Sequence, residues 1–197
     1  MNDQRRQRRA QGHVYTRRLV LSILSIVALG VVRPCIGQEE PRIAREYTLK
    51  AAFIFNFARY ISWPKKAFST AESPFVIGVL GGSPPELKRA LAHFEKKKVG
   101  TRAIRIQYLT EPADAKNCHI VFFRNTLDAD TMKETVEHCV DTSVLLVGEA
   151  EDFIDNGGVV NFSPAGKKLV IELARDRALK CRLTVDARLL RLAKIVD

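Results

Sequence analysis

Residues Glu46 to Pro64 read EYTLKAAFIFNFARYISWP and form the most apolar run outside the N-terminus. Apolar side chains recur there every three or four residues, which predicts one stripe of an α-helix: Tyr47, Ala51, Ile54, Phe55, Ala58 and Ile61. A second apolar stripe on the same helix comprises Leu49, Phe53, Phe57 and Tyr60. Pro64 disfavours the helical conformation at Trp63, so we expect the helix to end there. Either both stripes pack inside the domain, or the second contacts a partner or a second copy.

The N-terminus has the pattern of an export signal. Residues 1–18 are basic, and the apolar run Leu19–Val32 is shorter than the about 20 residues that a membrane span needs. Small residues at Cys35 and Gly37 would allow cleavage after Gly37. We therefore expect an export signal over 1–37, a single domain over 42–197 and a periplasmic location, by Sec or twin-arginine export. A retained membrane anchor is the alternative.

Most of the excess positive charge belongs to this leader. The chain carries a net charge of +10, and residues 1–37 hold seven of its 32 basic and one of its 22 acidic residues. The remaining 25 basic and 21 acidic residues leave a net charge of +4. Because the basic runs that remain are short and balanced by acids, we expect no nucleic-acid partner.

Apolar runs bounded by turn residues predict the sheet. Buried strands are expected at Phe75–Leu80, Cys118–Phe123 and Ser143–Val147, and a strand nearer the edge at Arg102–Leu109. Two strands around Ser163-Pro164-Ala165-Gly166 predict a hairpin of Val159–Phe162 and Lys168–Leu173. Helical patterns cover Ser83–Lys98, Leu127–Val140, Glu151–Asp155 and Asp186–Val196. The pattern predicts an α/β fold: a single domain whose largely parallel sheet is flanked by helices, with a late antiparallel hairpin.

One loop has the position of a ligand site. Gly81, Gly82 and Ser83 lie between a strand and a helix, where α/β proteins bind phosphate groups. They match neither the dinucleotide fingerprint nor the P-loop, and a tight turn with a helix cap explains them equally well. A small-ligand binding protein therefore stays open as an alternative function. No motif selects a catalytic set, so a hydrolase is the weakest alternative.

Three cysteines remain after the leader: Cys118, Cys139 and Cys181. Cys118-His119 and His138-Cys139 are adjacent pairs whose side chains diverge, so we expect no metal site. A helix that follows a parallel strand runs back beside it, which would bring Cys139 near Cys118 and makes these two the disulfide candidates. Buried free thiols are the alternative.

Glu172 interrupts the apolar strand Leu169-Val170-Ile171-Glu172-Leu173. A charge among apolar neighbours is costly unless it is paired. It either faces solvent or forms a paired or partner-contacting carboxylate, with three arginines as candidate partners: Arg175, Arg182 and Arg188.

In these features the sequence resembles the YfiR family of periplasmic proteins, also called DUF4154. The likeness rests on KAAF at Lys50–Phe53, Trp63-Pro64, NCHIVF at Asn117–Phe122, and LVIEL at Leu169–Leu173 followed by LLRLA at Leu189–Ala193. These segments keep the family's order and spacing and span nearly all of the chain after the leader.

The resemblance implies a non-enzymatic regulator that needs no cofactor. The family's namesakes are periplasmic repressors that bind the sensor domain of a membrane diguanylate cyclase and restrain cyclic-di-GMP synthesis. They form homodimers, and the redox state of their cysteines affects folding. By this resemblance we expect a diguanylate cyclase or sensor kinase as partner. We expect partner or dimer contacts from the long helix and the C-terminal segments: Leu49, Phe53, Phe57, Tyr60, Trp63, Glu172, Leu189 and Leu190.

Overall fold

A mostly parallel sheet organises the protein, as the apolar runs predicted. The computed structural model describes residues 39–166 and 168–196, so the predicted export signal lies outside the described residues. Within them, one sheet has eight strands: β2 (Phe75–Leu80), β3 (Lys98–Val99), β4 (Arg102–Tyr108), β5 (Ile120–Phe123), β6 (Leu145–Gly148), β7 (Val160–Ala165), β8 (Lys168–Leu173) and β10 (Lys194–Ile195). They pair in the order β10-β8-β7-β6-β5-β2-β4-β3.

The central strands are buried on both faces. Every residue of β2, β5 and β6 is buried, which explains why their sequences are continuous apolar runs rather than alternating ones. These strands run parallel to one another. The predicted hairpin is confirmed, because β7 and β8 pair antiparallel with Phe162 opposite Ile171.

Helices cover the sheet. They are α1 (Glu39–Tyr60), α2 (Pro85–Glu95), α3 (Ala129–His138), α4 (Arg175–Lys180) and α5 (Ala187–Leu190), with 3₁₀ turns at Lys65–Ala67 and Pro112–Asn117. Two further short strands, β1 (Ile61–Ser62) and β9 (Thr184–Val185), form a separate antiparallel pair. No helix in residues 39–166 and 168–196 is both long and apolar enough to cross a membrane.

The first helix differs from its predicted bounds at both ends. It begins at Glu39 and ends at Tyr60, before the Trp63-Pro64 dipeptide that was expected to end it. The reason is tertiary, because Ile61 pairs with Val185 and the Tyr60 carbonyl accepts a hydrogen bond from the Asp186 amide at 2.8 Å. Pairing with a distant strand therefore ends the helix earlier than the local sequence does.

One predicted helix is wrong, and another is shorter than predicted. Residues 151–157 form turns in which Phe153 is fully buried. Its ring packs so closely on Gly148 that an added Cβ there would lie 2.2 Å from Phe153 Cγ. The segment predicted as a helix over Asp186–Val196 is helical only at α5, because Lys194 and Ile195 join the edge of β8 instead.

Candidate functional site

The crevice where open α/β sheets bind ligands lies between β2 and β5. The chain leaves β2 to form β4 on one side and then returns to form β5 on the other, so the strand order reverses at this point. Ligands of such sheets bind outside the carboxyl ends of the strands at this reversal. Here those ends are followed by Gly81 after β2, Arg124 after β5 and Glu149 after β6.

A buried ion network fills this crevice. Lys50 of α1 donates hydrogen bonds to Glu149 Oε2 at 2.6 Å and to Glu46 Oε1 at 2.5 Å. The side chains of Lys50 and Glu149 are only 6% and 3% exposed. Burial alone would lower the pKa of Lys50, but the attraction of Glu149 and Glu46 outweighs burial and raises that pKa above its ordinary 10.5. Lys50 is therefore held charged inside the protein.

Arg124 joins the network from the other side. Its Nη2 donates to the hydroxyl of Tyr47 at 2.7 Å, and its Nε lies 3.6 Å from Glu149 Oε1. The same Glu149 oxygen accepts a hydrogen bond from the backbone N–H of Asn125 at 3.3 Å. Glu149 is thus surrounded by two cations and a backbone donor, a set of partners that offsets the cost of burying its charge.

The predicted ligand loop contributes to closing the crevice. The Gly81 carbonyl accepts hydrogen bonds from Arg124 Nη1 at 3.4 Å and from the Thr126 hydroxyl at 2.5 Å. Gly81 and Gly82 both have positive φ, at 94° and 88°, which agrees with the tight turn. Ser83 does not cap the next helix, because Pro84 occupies the N-cap position of α2. Ligand binding by Gly81, Gly82 and Ser83 stays a prediction.

The second stripe of α1 is not one continuous surface. Leu49 is 44% exposed, whereas Phe57 is 0% exposed, so the prediction that Phe57 contacts a partner is wrong. Phe57 stacks on Phe162 of β7 with ring centroids 5.8 Å apart, and the half-buried Phe53 packs against the same ring at 6.3 Å. Because α1 packs against β7 at this point, the part of the stripe around Phe57 belongs to the core.

The remaining predicted contact residues also include both buried and half-buried side chains. Leu189 is buried in the core, which corrects its assignment to an interface, while Tyr60, Trp63 and Leu190 are half-buried. Glu172 is paired as one interpretation proposed, but with Lys194 of β10 at 3.0 Å rather than with any of the three candidate arginines. Its ladder position opposite Lys194 in the β8–β10 pair brings the two together.

Comparison with known proteins establishes the family. The model of the DUF4154 family, described as YfiR/HmsC-like, matches residues 47–194. The chain belongs to this family. Proteins of the YfiR-like family are regulatory rather than catalytic, and as a family they act together with membrane signalling proteins. None of the curated proteins searched matches the chain.

Solved structures show the fold alone. A conserved domain protein from Vibrio cholerae is similar with a TM-score of 0.51 and 10% identity, covering 77% of this chain. The chain spans 60% of that protein's length. An ABC domain from Streptococcus pneumonia in complex with L-Trp has a TM-score of 0.44 and 10% identity, and the match covers 62% of this chain and 55% of that one.

The three cysteines in the described part of this YfiR-like chain, Cys118, Cys139 and Cys181, are free thiols. Cys118 and Cys139 are buried and not bonded, so the predicted disulfide between them is not formed in this structure. Burial raises the pKa of each of these two thiols to about 12. The alternative interpretation, buried cysteines acting as small apolar side chains, describes what is observed. Residues 39–166 and 168–196 contain no group of three or more His, Cys, Asp or Glu side chains placed to hold a metal ion.

His119 lies inside a column of rings rather than at a metal site. It stacks between Phe68 and Phe75, with centroid separations of 4.4 and 4.8 Å. Its Nδ1 accepts a hydrogen bond from the Val76 amide at 3.0 Å, so Nε2 carries the proton that faces the Ala67 carbonyl at 3.1 Å. Both ring nitrogens are used by the neutral imidazole, and protonation of Nδ1 would break the bond to Val76.

We expect His119 to make stability depend on pH. Burial lowers the pKa of His119 below its ordinary 6.5, so in the range below pH 6.5 the unfolded chain takes up a proton that the folded chain does not. Stability should therefore fall on acidification through that range. Urea unfolding at about pH 7.5 and about pH 5.5 should show a smaller loss for His119→Gln than for the natural protein. The exposed His93→Gln is the control, and equal losses in all three proteins would contradict the assignment.

The sequence reasoning missed the residues that fill the crevice. Lys50 lies within the apolar stripe of α1, one residue before Ala51, and Glu149 follows the buried strand β6 directly. A charge in each of these two places was a signal that a buried pair could form. Because Lys50 and Glu149 are 99 residues apart in the sequence, no local pattern indicated that they pair with each other.

Proposed function

We propose that the protein is a non-enzymatic periplasmic regulator that binds the periplasmic domain of a membrane signalling protein. The partner we propose is a diguanylate cyclase, whose cyclic-di-GMP synthesis it restrains, with a sensor kinase as the other partner of this kind. The observation that carries the proposal is the filled crevice. The place where an α/β sheet would bind a substrate is occupied by Lys50, Arg124 and Glu149 of the same chain.

The outer face of α1 supplies a surface for such a partner. Arg45 and Leu49 are exposed and Phe53 and Asn56 are half-buried, at the spacing of one helix face. An exposed leucine beside an aromatic side chain, rimmed by polar groups, is the pattern with which helices enter apolar grooves of partners. Leu49 is the most accessible apolar side chain of this face and is the first residue to test.

Changing Leu49 should weaken capture of the membrane partner without unfolding the protein. The tagged protein is mixed with detergent-solubilised membranes of its own bacterium, and captured proteins are identified by mass spectrometry. We expect enrichment of a membrane diguanylate cyclase or sensor kinase by the natural protein and its loss with Leu49→Asp. Leu179→Asp is the matched control, because Leu179 is also an exposed leucine, at 54%, but lies on α4. Equal capture by all three proteins would contradict the role of α1.

Export and self-association belong to the same proposal. The basic and apolar leader supports secretion, and N-terminal sequencing of the purified protein should begin near Gln38; an uncleaved N-terminus would count against it. The family supports a homodimer, which sedimentation equilibrium should detect as twice the monomer mass. A single monomeric species would overturn that part of the proposal and leave partner capture to be judged separately.

A further inference from the structure

A second concave site lies at the opposite edge of the sheet from the filled crevice. It is a cleft of about 300 Å³ beside the amino ends of β5 and β6. Four connecting segments form its walls: the 3₁₀ turn Lys65–Ala67, the 3₁₀ turn Pro112–Asn117, the turn between α3 and β6, and the turn between α4 and β9. The cleft does not include any residue that the proposed function uses.

Three cations from three different segments line this cleft: Lys66, Lys116 and Arg182. Within residues 39–166 and 168–196, none of the three is within ion-pair distance of a carboxylate. The acidic residue of the lining is Asp141, which is exposed. Three cations around one cleft that holds a single carboxylate repel one another, and an anion bound between them reduces that repulsion.

The backbone of the cleft is held in an uncommon conformation. Asp141 and Arg182 have φ angles of 57° and 60°, and no other non-glycine residue in the described ranges has a positive φ. Aspartate visits this left-handed region fairly often, but arginine does so rarely. Arg182 Nη1 also donates to the Asp141 carbonyl at 3.2 Å, which joins the two turns. Unfavourable backbone conformations of this kind concentrate at ligand sites, where the surrounding structure maintains them.

The polar groups of the cleft can donate hydrogen bonds. The ammonium groups of Lys66 and Lys116, the remaining N–H groups of Arg182 and the hydroxyl of Ser143 are the available donors. The two ring nitrogens of His119 and the hydroxyl of Thr142 are already used, the latter on the Cys139 carbonyl at 2.6 Å. A cleft rich in cationic donors matches an oxyanion such as a phosphate group.

We propose that this cleft binds the phosphate group of a small soluble molecule. Arg182 supplies a planar pair of donors, and Lys66 and Lys116 supply point charges around the phosphate oxygens. The volume holds a phosphate with a small organic group attached, at the lower end of the range for ligand pockets. This site goes beyond the proposed regulatory role and does not depend on it, because it shares no residue with the outer face of α1.

Phosphate titration by isothermal calorimetry tests the site on the folded protein. Inorganic phosphate is the probe, with sodium chloride of equal ionic strength as the blank. We expect saturable binding that weakens about tenfold on loss of one cation in Lys116→Ala or Arg182→Gly. Lys97→Ala, which removes an exposed lysine outside the cleft, should bind as the natural protein does.

Arg182→Gly separates binding from folding. Glycine adopts a φ near 60° without strain, which offsets the loss of the bond from Arg182 to the Asp141 carbonyl, so this variant should unfold at about the same temperature as the natural protein in phosphate-free buffer. It should nevertheless lose the rise in melting temperature that phosphate gives the natural protein. The site would be overturned if sodium chloride gave the same binding heat as phosphate, or if Arg182→Gly and Lys97→Ala bound phosphate with equal affinity. Binding to phosphatidylglycerol vesicles without binding of free phosphate would overturn the soluble ligand.

Discussion

Replacing Glu149 by leucine is expected to lower the free energy of unfolding by about 3–5 kcal/mol, the range for breaking a buried ion pair. The replacement leaves Lys50 and Arg124 as two buried cations without their shared carboxylate. Lys50 keeps its bond to Glu46, whose side chain is 48% exposed, so the loss should lie toward the lower end of this range. Urea unfolding at neutral pH measures the change.

A double-mutant cycle shows whether the loss comes from the pair itself. Lys50→Met removes the charge while keeping an apolar side chain of similar length, and the double variant with Glu149→Leu removes both charges. We expect the double variant to be more stable than the sum of the two single losses predicts, by about 0.5–3 kcal/mol. Glu86→Leu, which breaks an exposed pair with Arg89, should cost at most about 1 kcal/mol. A similarly small loss for Glu149→Leu would contradict the network.

The contribution of the Lys50–Glu149 pair to the free energy of unfolding should depend on pH. Because the pKa of Lys50 is raised in the folded protein, its contribution to stability is fully present below pH 10.5 and is lost as the pH rises through the folded-state value. The natural protein should therefore lose more stability than Lys50→Met on alkalinisation. Parallel pH profiles for the two proteins would show that Lys50 is not held charged by Glu149.

Truncation of Phe57 should cause the second large loss. Phe57→Ala removes a fully buried ring that packs on Phe53 and Phe162, which should lower the free energy of unfolding by about 3–5 kcal/mol. Leu49→Ala lies on the same stripe of α1, but the side chain is 44% exposed and its truncation should change stability by at most about 0.5 kcal/mol. Thermal and urea unfolding of both variants measure the difference.

This comparison also tests how the stripe divides. Phe57→Ala as stable as Leu49→Ala would show that the stripe is a free surface, as the sequence left possible. A large loss for both would place Leu49 in the core as well and remove it as a candidate contact. Only the expected contrast is compatible with a helix whose inner face packs on β7 and whose outer face is open to a partner.

Local patterns were enough to predict the centre of the sheet. The runs at Phe75–Leu80 and Lys168–Leu173 have the bounds of β2 and β8, because fully buried strands and a hairpin leave clear periodicities. The C-terminal segment misled the prediction. Leu189 is buried but Leu192 is 64% exposed, so an apparently amphipathic helix is in fact a short helix followed by an edge strand. Edge pairing of two residues has no local signature.

The candidate sites depended on contacts between distant segments. Lys50 of α1 meets Glu149 at the carboxyl edge of the sheet only in the folded chain. In the same way, Lys66, Lys116 and Arg182 line one cleft only when the segments at the amino edge are assembled. The sequence predicted the position of the Gly81 loop after a strand correctly. It did not predict that Arg124, 43 residues further along the chain, binds the Gly81 carbonyl. Sequence patterns identified the elements, and the folded chain decided which side chains fill the spaces between them.

The cellular level of cyclic-di-GMP tests the regulatory role of α1 most directly. Cells that lack the protein are supplied with the natural form, Leu49→Asp or Leu179→Asp at equal abundance, and cyclic-di-GMP is quantified by mass spectrometry. We expect the natural form and Leu179→Asp to lower cyclic-di-GMP relative to the deletion strain, and Leu49→Asp to leave it at the deletion level. If Leu49→Asp lowers cyclic-di-GMP as much as the natural protein does, the outer face of α1 is not the surface through which this protein acts.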